Sequence, residues 1–469
     1  MRKVAPLVAV LLAGCMSMEP AYVRPDAAVP ASWPVGDVYL RQSEAALPAI
    51  TFRDIFRDAR LQLLIEQGLA NNRDLAIAAA NIASAREQYR IQRADLYPHL
   101  NAAAGVSAQP APSGENGTNA DYRAGVSVPA FELDLFGRVR SLTKAELNRY
   151  FATEAAARST RLALVADIAN GWLTYAADAS ILKIAEDTAT SARRSVSLTR
   201  ARLEGGIAPR TDLRQAEQIL FAAEATVARQ RTALAQDVNL LQLLVGATID
   251  PALLPASIEQ AAPTIAALPA GISSLVLLRR PDVMQAEYQL RAANAEIGAA
   301  RAALFPNISL TGLLGFASNA LGKLLSSGLG WTASAAASMP IFDAGASRSN
   351  VHRSVAEREA AAAGYQKSIQ TAFREVGDAL ARQGTAADEL RARHAQEASA
   401  ADNFKLAEAR YRAGIDDFLA SLDAQRTYYA AQQSLVLMQL DAASNLVDLY
   451  RALGGDSLYL PEEVRPGVG

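Results

Sequence analysis

The sequence predicts a mixed, mainly α fold made of two tandem structural repeats, each a set of long helices interrupted by a β-hairpin. Three observations carry this. The stretch RADLYPHL at 93–100 returns as RAALFPNI at 301–308, each time an Ala-rich helical segment halted at a proline. Laid without gaps, residues 71–98 pair with 279–306: Asp74 with Asp282, Ala85 with Ala293, Leu96 with Leu304, Pro98 with Pro306. The same offset pairs Arg202 with Arg410, Gly206-Ile207 with Gly414-Ile415, and Ala216 with Ala424. Proline and glycine matches at turn positions mark an internal repeat rather than a chance overlay of Ala-rich helices. Third, each half holds a proline-free stretch far longer than an ordinary globular helix.

The N-terminus comes first in chain order. Arg2 and Lys3 precede an apolar run, Val4 to Ala13, too short to span a bilayer, so residues 1–14 read as a secretory signal peptide. Leu12-Ala13-Gly14-Cys15 resembles the lipobox of bacterial lipoproteins, which implies cleavage before Cys15 and lipidation on it. Cys15 is the only cysteine, so no intramolecular disulfide can form and the exported fold stands on packing alone. More than one acyl chain anchors a protein stably. Met16 follows, where aspartate is associated with inner-membrane retention, so the resemblance to bacterial lipoproteins implies the outer membrane. Residues 15–52 are expected to form a lipidated, extended tail.

The first repeat is expected at 53–245. A helix at 71–97 ends at Pro98, because proline breaks the helical ladder and its predecessor prefers extended geometry. A hairpin within 99–131 follows, with strands 99–109 and 122–131. Next comes a helix from about Arg138 to about Leu203, in which Val165, Ile168, Trp172, Tyr175, Ala179 and Leu182 keep heptad steps. The chain turns at Gly205-Gly206-Ile207-Ala208-Pro209 and returns as a helix. Residues 246–278, rich in Pro and Ala, read as an inter-repeat linker packed outside the helical portion.

The second repeat, 279–453, repeats the order: a helix at 281–305 closed by Pro306, then a hairpin at 307–342 with strands 307–317 and 331–342. A long helix from about Arg348 to Arg412 leads to the turn Ala413-Gly414-Ile415-Asp416-Asp417, the returning helix and a tail at 454–469. In each half the returning helix and the first helix together match the long helix in length, so stacked end to end they would lie beside it. In the third strand Ile308, Leu310, Leu314 and Phe316 share one face, against Asn307, Ser309 and Thr311. In the fourth, Trp331, Met339 and Ile341 oppose Thr332, Ser334 and Ser338. Such strands fit a position between lipid and a wet lumen; a half-buried soluble hairpin would carry the same pattern. Two hairpins leave open edges. The economical remedy is a closed barrel shared among chains, and twelve strands from three chains would leave a passage.

Composition removes other classes. A net charge of −2 gives no electrostatic reason to expect nucleic acid. His99, His352 and His394 lie on separate elements without metal-ligand spacing, and no glycine loop for phosphate is present. The expectation is therefore no enzyme, no metal and no cofactor beyond the lipid on Cys15.

Three segments are specific enough to name a family: RRPDVMQAEYQLRAANAEIGAARAALFPNISLTGLLG (279–315), FELDLFGRVRS (131–141) and RYRAGIDDFLASLDAQRTYY (410–429). With the lipobox, they resemble TolC-like outer-membrane efflux proteins, in particular the lipoprotein subunits serving RND-type pumps, from about Arg53 to Gly454. The resemblance implies a homotrimeric α-helical barrel of coiled-coil helices, continuous with a 12-stranded transmembrane β-barrel of four strands per protomer. It implies an exit duct for small toxic compounds, seated in outer-membrane lipid with a periplasmic helical portion. Its partners would be a periplasmic adaptor (membrane fusion) protein and an inner-membrane RND transporter. Pro98 and Pro306 would mark the passage from helical to membrane barrel.

For the turns the resemblance adds roles beside plainer ones. Gly205, Gly206, Ile207, Gly414 and Ile415 fit helix termination and equally the adaptor-contacting tips of the family. Thr211 and Asp212 fit capping of the returning helix; the family adds a gate in which Asp212 hydrogen-bonds Tyr411. Asp416, Asp417 and Asp423 fit acids at a helix start, or carboxylate rings that narrow a threefold passage. Asp423 matches a constriction aspartate, Ala420 stands where some members have a second, and Asp416 replaces an arginine, so their gate does not carry over whole. Two further readings stay open: a duct for one-step protein secretion, and a periplasmic coiled-coil adaptor or scaffold lipoprotein. The adaptor class should show a soluble β-domain between its helices.

Overall fold

The computed structural model describes residues 17–25, 51–110, 118–267, 274–326 and 328–455. The signal peptide, Cys15, most of the N-terminal tail and the tail from 456 lie outside the described residues.

The helices are α1 (Phe52–Ile55), α2 (Ala59–Asn71), α3 (Arg73–Ala94), α4 (Arg138–Glu204), α5 (Arg210–Val245), α6 (Ile258–Ala261), α7 (Pro281–Ala302), α8 (Ala346–Arg412) and α9 (Phe418–Ala452). The strands are β1 (Asn101–Pro110), β2 (Thr118–Leu133), β3 (Asn307–Ser318) and β4 (Gly330–Ser338). The architecture is mainly α with one four-stranded antiparallel sheet, as the sequence predicts. α4 and α8 each run 67 residues, about 100 Å at ~1.5 Å per residue. The chain divides into two compact units, the first made of 1–26, 80–155 and 285–367, the second of 27–79, 156–284 and 368–469.

Several boundaries differ from expectation. α3 and α7 stop at Ala94 and Ala302, not at 97 and 305. The last turn tightens first, with Tyr97 N–H donating to Ala94 O at 2.9 Å and Phe305 N–H to Ala302 O at 3.1 Å. The residue before each proline cannot stay helical. β4 ends at Ser338 rather than 342, since Pro340 has no N–H for a ladder. Met339 and Ile341 therefore lie beyond the strand, and Ile341 is fully exposed.

In the first unit the sheet runs β1-β2-β3-β4 in order, so β1 and β4 are its edges. Directly paired residues share a face. Val106, Tyr122, Ala124, Val126, Leu314, Phe316 and Trp331 fall on one side; Asn101, Ser127, Ser309, Thr311, Thr332 and Ser334 fall on the other. Leu313, paired with Ser127 and Thr332, is the apolar exception on the polar side. The pairing Val128↔Gly312 is followed by Phe131↔Leu310, a bulge that inserts one residue into β2. Ala130 sits there at φ 43°, its N–H donating to Thr311 Oγ1 at 3.3 Å. Without the bulge Phe131 and Leu133 would swap sides and Glu132 would face the apolar surface. At the strand–helix junction Phe136 stacks on Phe305 at 4.8 Å. The tail residues Ser17–Pro25 lie on α4 and α7: Lys144 meets Glu19 at 2.8 Å, Asn294 donates to Pro20 O at 2.9 Å, and Arg24 pairs with the buried Glu287.

The core of the second unit centres on Leu61, Leu64, Ile65, Ile168, Trp172, Leu173, Leu241 and Tyr450, all fully buried. The described part of the linker folds onto this core and buries Ile258 and Ile265 in it. Its Leu253 O accepts from Trp172 Nε1 at 3.0 Å, and Ile258 N–H donates to Ser180 Oγ at 3.0 Å.

The returning helices must end against the start of the first helices, and here the repeats solve one problem twice. Asn72, between α2 and α3, donates from its amide to Leu244 O at 2.8 Å and accepts from Asp74 and Leu75 N–H at 2.8 and 3.1 Å. It caps α3 and closes the last turn of α5 together. Gly246 follows at φ 73°, so close to the chain that a Cβ would lie 2.6 Å from Asn71 O. At the equivalent place Arg280, its side chain 8% exposed, donates to Ala452 O at 2.7 Å and pairs with Asp282 and Glu375 at 2.7 and 2.9 Å. α2 and the break at Asn72 have no counterpart in the sequence-based expectation.

Between α4 and α5, Arg193 meets Glu224 at 3.0 Å and Arg231 meets Glu186 at 2.9 Å. Lower on the same pair of helices the carboxyl groups of Asp178 and Asp237 lie beside each other, with Gln230 next to Asp178. Burial first, then the Asp178 charge, push the Asp237 carboxyl up to about 6. The two titrate as a pair.

Replacing Arg280 by Met leaves two carboxylates and a helix-end carbonyl without their donor and should lower stability by about 2–3 kcal/mol, less than a fully buried pair because the carboxylates are part-exposed. Asn72→Ala should cost about 1–2 kcal/mol; thermal unfolding of the two variants gives the order. A raised carboxyl pKa favours the folded state while protonated, and that advantage is lost as pH rises from the ordinary carboxylate range through about 6. Asp237→Asn should therefore raise the melting temperature at pH 8, with the gain gone at pH 4.

Candidate functional site: the turns between long and returning helices

Both turns are built the same way. Gly206 stands at φ 71° and Gly414 at φ 74°, the left-handed position where glycine carries no Cβ penalty. Gly206 N–H donates to Leu203 O at 3.0 Å and Ile207 N–H to Arg202 O at 2.8 Å. Gly414 N–H donates to Tyr411 O at 3.0 Å and Ile415 N–H to Arg410 O at 2.9 Å. Each is a Schellman motif, which satisfies carbonyls that a helix end leaves open. The hydrophobe after the glycine commonly packs back onto the helix, yet Ile207 is 78% exposed and Ile415 64%. Gly205 is exposed beside them.

The expected capping by Thr211 and Asp212 is not what the structure has. Pro209 holds the N-cap position of α5 without a side-chain bond, and Asp212 lies in the first turn, half-buried, its N–H donating to Pro209 O at 3.2 Å. Thr211 is exposed next to it. Asp417 does cap α9, accepting from Ala420 N–H at 3.0 Å. Asp423 is exposed on α9. Asp416 is held by Arg410 through two bonds of 2.6 and 2.8 Å, and those bonds keep its carboxyl below the usual range. A depressed carboxyl pKa means the pair persists at neutral pH and is lost only as pH falls through that lowered value.

Tyr411 is brought to the same place but not to Asp212. Its ring packs on Phe418 at 5.3 Å within a cluster of Val196, Leu213, Ala216 and Leu422. Its hydroxyl is buried without a hydrogen-bond partner among the described residues. Arg202 covers it, the guanidinium 4.5 Å from the ring centroid. Sequence reasoning registered Arg202 and Arg410 only as a repeat match; that an arginine sits six residues before a carboxylate in one turn, and before Ala208 in the other, was the available signal. Among the described residues no group of three or more His, Asp or Glu could hold a metal ion, and no helix is long and apolar enough to cross a membrane.

The family model for outer membrane efflux proteins matches residues 64–247 and 272–455. The antibiotic efflux pump outer membrane protein ArpC of Pseudomonas putida is 44% identical over 457 residues, covering 96% of this chain and 94% of that one. A solved membrane protein from Pseudomonas aeruginosa is 39% identical at a TM-score of 0.86, over 94% of this chain and 98% of that one. The open state of the Neisseria gonorrhoeae MtrE outer membrane channel is 34% identical at a TM-score of 0.80, over 94% and 98%.

Because the Tyr411 hydroxyl is buried and unpaired, its removal should cost no stability. Tyr411→Phe is expected to unfold within about 0.5 kcal/mol of the parent, or slightly above it. A clear loss in a thermal melt would show a partner for that hydroxyl outside the described residues.

Proposed function

The chain belongs to the outer membrane efflux protein family, and on that premise we propose that it is the outer-membrane exit duct of a tripartite RND-type efflux pump. The observation that carries this is the sheet: one apolar face, one polar face, and unsealed edges at β1 and β4. Such a sheet suits a segment of a barrel between lipid and water. A second observation supports assembly from copies of this chain. α3 has no buried residue along 22 positions, and Ile77 and Ile91 are 58% and 63% exposed. A helix that touches its own chain along one half-buried stripe and leaves its other side this open is suited to a neighbour. Three copies would close twelve strands around a passage.

Cargo would pass from a periplasmic adaptor and an inner-membrane transporter through the helical portion to the exterior. Small toxic compounds are the expected class, as the name of the antibiotic pump relative suggests. The exposed Ile207 and Ile415, on their glycine turns, are the residues offered to the adaptor. Thr211, Asp212, Asp417 and Asp423 are the proposed gate, with Asp416 contributing little free charge because Arg410 neutralises it. A Tyr411–Asp212 bond would belong to another state of the gate, since here the Tyr411 hydroxyl is unpaired and its ring lies under Arg202. Lipidation of Cys15 would fix the N-terminus to the outer membrane; the docked residues Ser17–Pro25 are consistent with that anchor lying near the first unit.

Deletion of the gene in its native host, scored against a panel of antibiotics and organic solvents, is expected to lower resistance to several of them. The detergent-extracted protein is expected to run as a trimer and to conduct ions in planar bilayers. A monomer soluble without detergent, with unchanged resistance in the deletion strain, would refute the duct.

A further inference from the structure

We propose that Arg202 is a positioning residue that fastens the second turn to the first within each chain, and so holds the far ends of α4 and α8 together; the role in gating rests on the duct reading above. From the last turn of α4 its guanidinium donates to the carbonyls of Tyr411 and Arg412 at 3.2 and 3.3 Å. These belong to the last residues of α8, where carbonyls have no partner inside the helix and the dipole is negative. The same guanidinium lies 4.5 Å from the Tyr411 ring centroid, a cation–π contact over a buried ring. Tyr411 in turn packs with Val196 of α4, Leu213 and Ala216 of α5, and Phe418 and Leu422 of α9. One side chain thus bridges a helix end and roofs the cluster in which both turns meet.

The repeat explains why the bridge runs one way. Arg410 occupies the position equivalent to Arg202, but it does not reach back: Asp416 holds it within its own turn at 2.6 and 2.8 Å. The residue equivalent to Asp416 in the first turn is Ala208. Without a carboxylate at that place Arg202 is left to cross to the other helix. Any movement that parts the two turns has to break the stacked contact and both helix-end hydrogen bonds first.

Two variants test this on the full chain in detergent. Arg202→Met keeps an apolar stem over Tyr411 and removes charge and donors. Ala208→Asp leaves the arginine in place and supplies the carboxylate that occupies Arg410 in the second turn. Both are expected to raise amide hydrogen exchange at Gly414 and Ile415 about threefold or more, with the Arg280 junction unchanged. Both are expected to raise resting conductance in planar bilayers about twofold or more. Arg202→Lys, which keeps the charge without the planar fork, is expected to fall between parent and Arg202→Met. Parental exchange rates in both variants would overturn the fastening. Raised exchange with parental conductance would overturn its role in gating. A parent chain that conducts no ions would overturn the duct reading itself, with the exchange measurement still deciding the fastening.

Discussion

The fold depends on closing the carbonyl ends of very long helices without interrupting them. A helix leaves its last carbonyls without internal partners, and the four helices of 35 to 67 residues end in two settings, the long ones at exposed turns and the returning ones in the buried core. Each end is closed by a separate device. At the turns, left-handed glycines let the backbone fold back on its own carbonyls. At the opposite ends of the returning helices the donors come from elsewhere in the chain, an amide from Asn72 and a guanidinium from Arg280. Arg202 adds a third kind of closure, from one repeat to the other. The backbone requirement is the same in both halves; the side chains that meet it have diverged.

Much of this was legible in the sequence, for physical reasons. The long helices could be placed within a residue or two because proline, glycine and the heptad seam all mark their limits. The strands were legible from alternation, and their existence held while their ends moved. What the pattern hid were interactions between distant residues. Nothing local in Asn72 says that it ends one helix, starts another and bonds a carbonyl far along the chain. How the linker packs was hidden because its Pro and Ala content masks two isoleucines that the core takes up. Among the site residues, the glycine turns and the cap by Asp417 followed from local chemistry. The surroundings of Tyr411 and Asp416 did not, since both are decided by arginines whose partners are chosen by what sits elsewhere in the turn.

The sheet shows how strictly two solvents constrain a strand. β2 is the longest strand and would bring Glu132 to the wrong side if it ran straight. One inserted residue at Pro129-Ala130 restores the separation of faces for Phe131 and Leu133, just where the strand approaches α4. The bulge therefore marks the place where strict alternation gives way to the helical portion.

The unsealed strands at either margin of the sheet have a consequence for the newly exported polypeptide. Until its neighbours arrive, each copy presents two raw ladders of backbone donors and acceptors beside a greasy surface, the combination that promotes aggregation. Its survival in the periplasm is thus a race between productive assembly and misassociation. Holdase chaperones that cover such margins, and export slow enough to keep single copies scarce, would decide how much of it reaches the membrane.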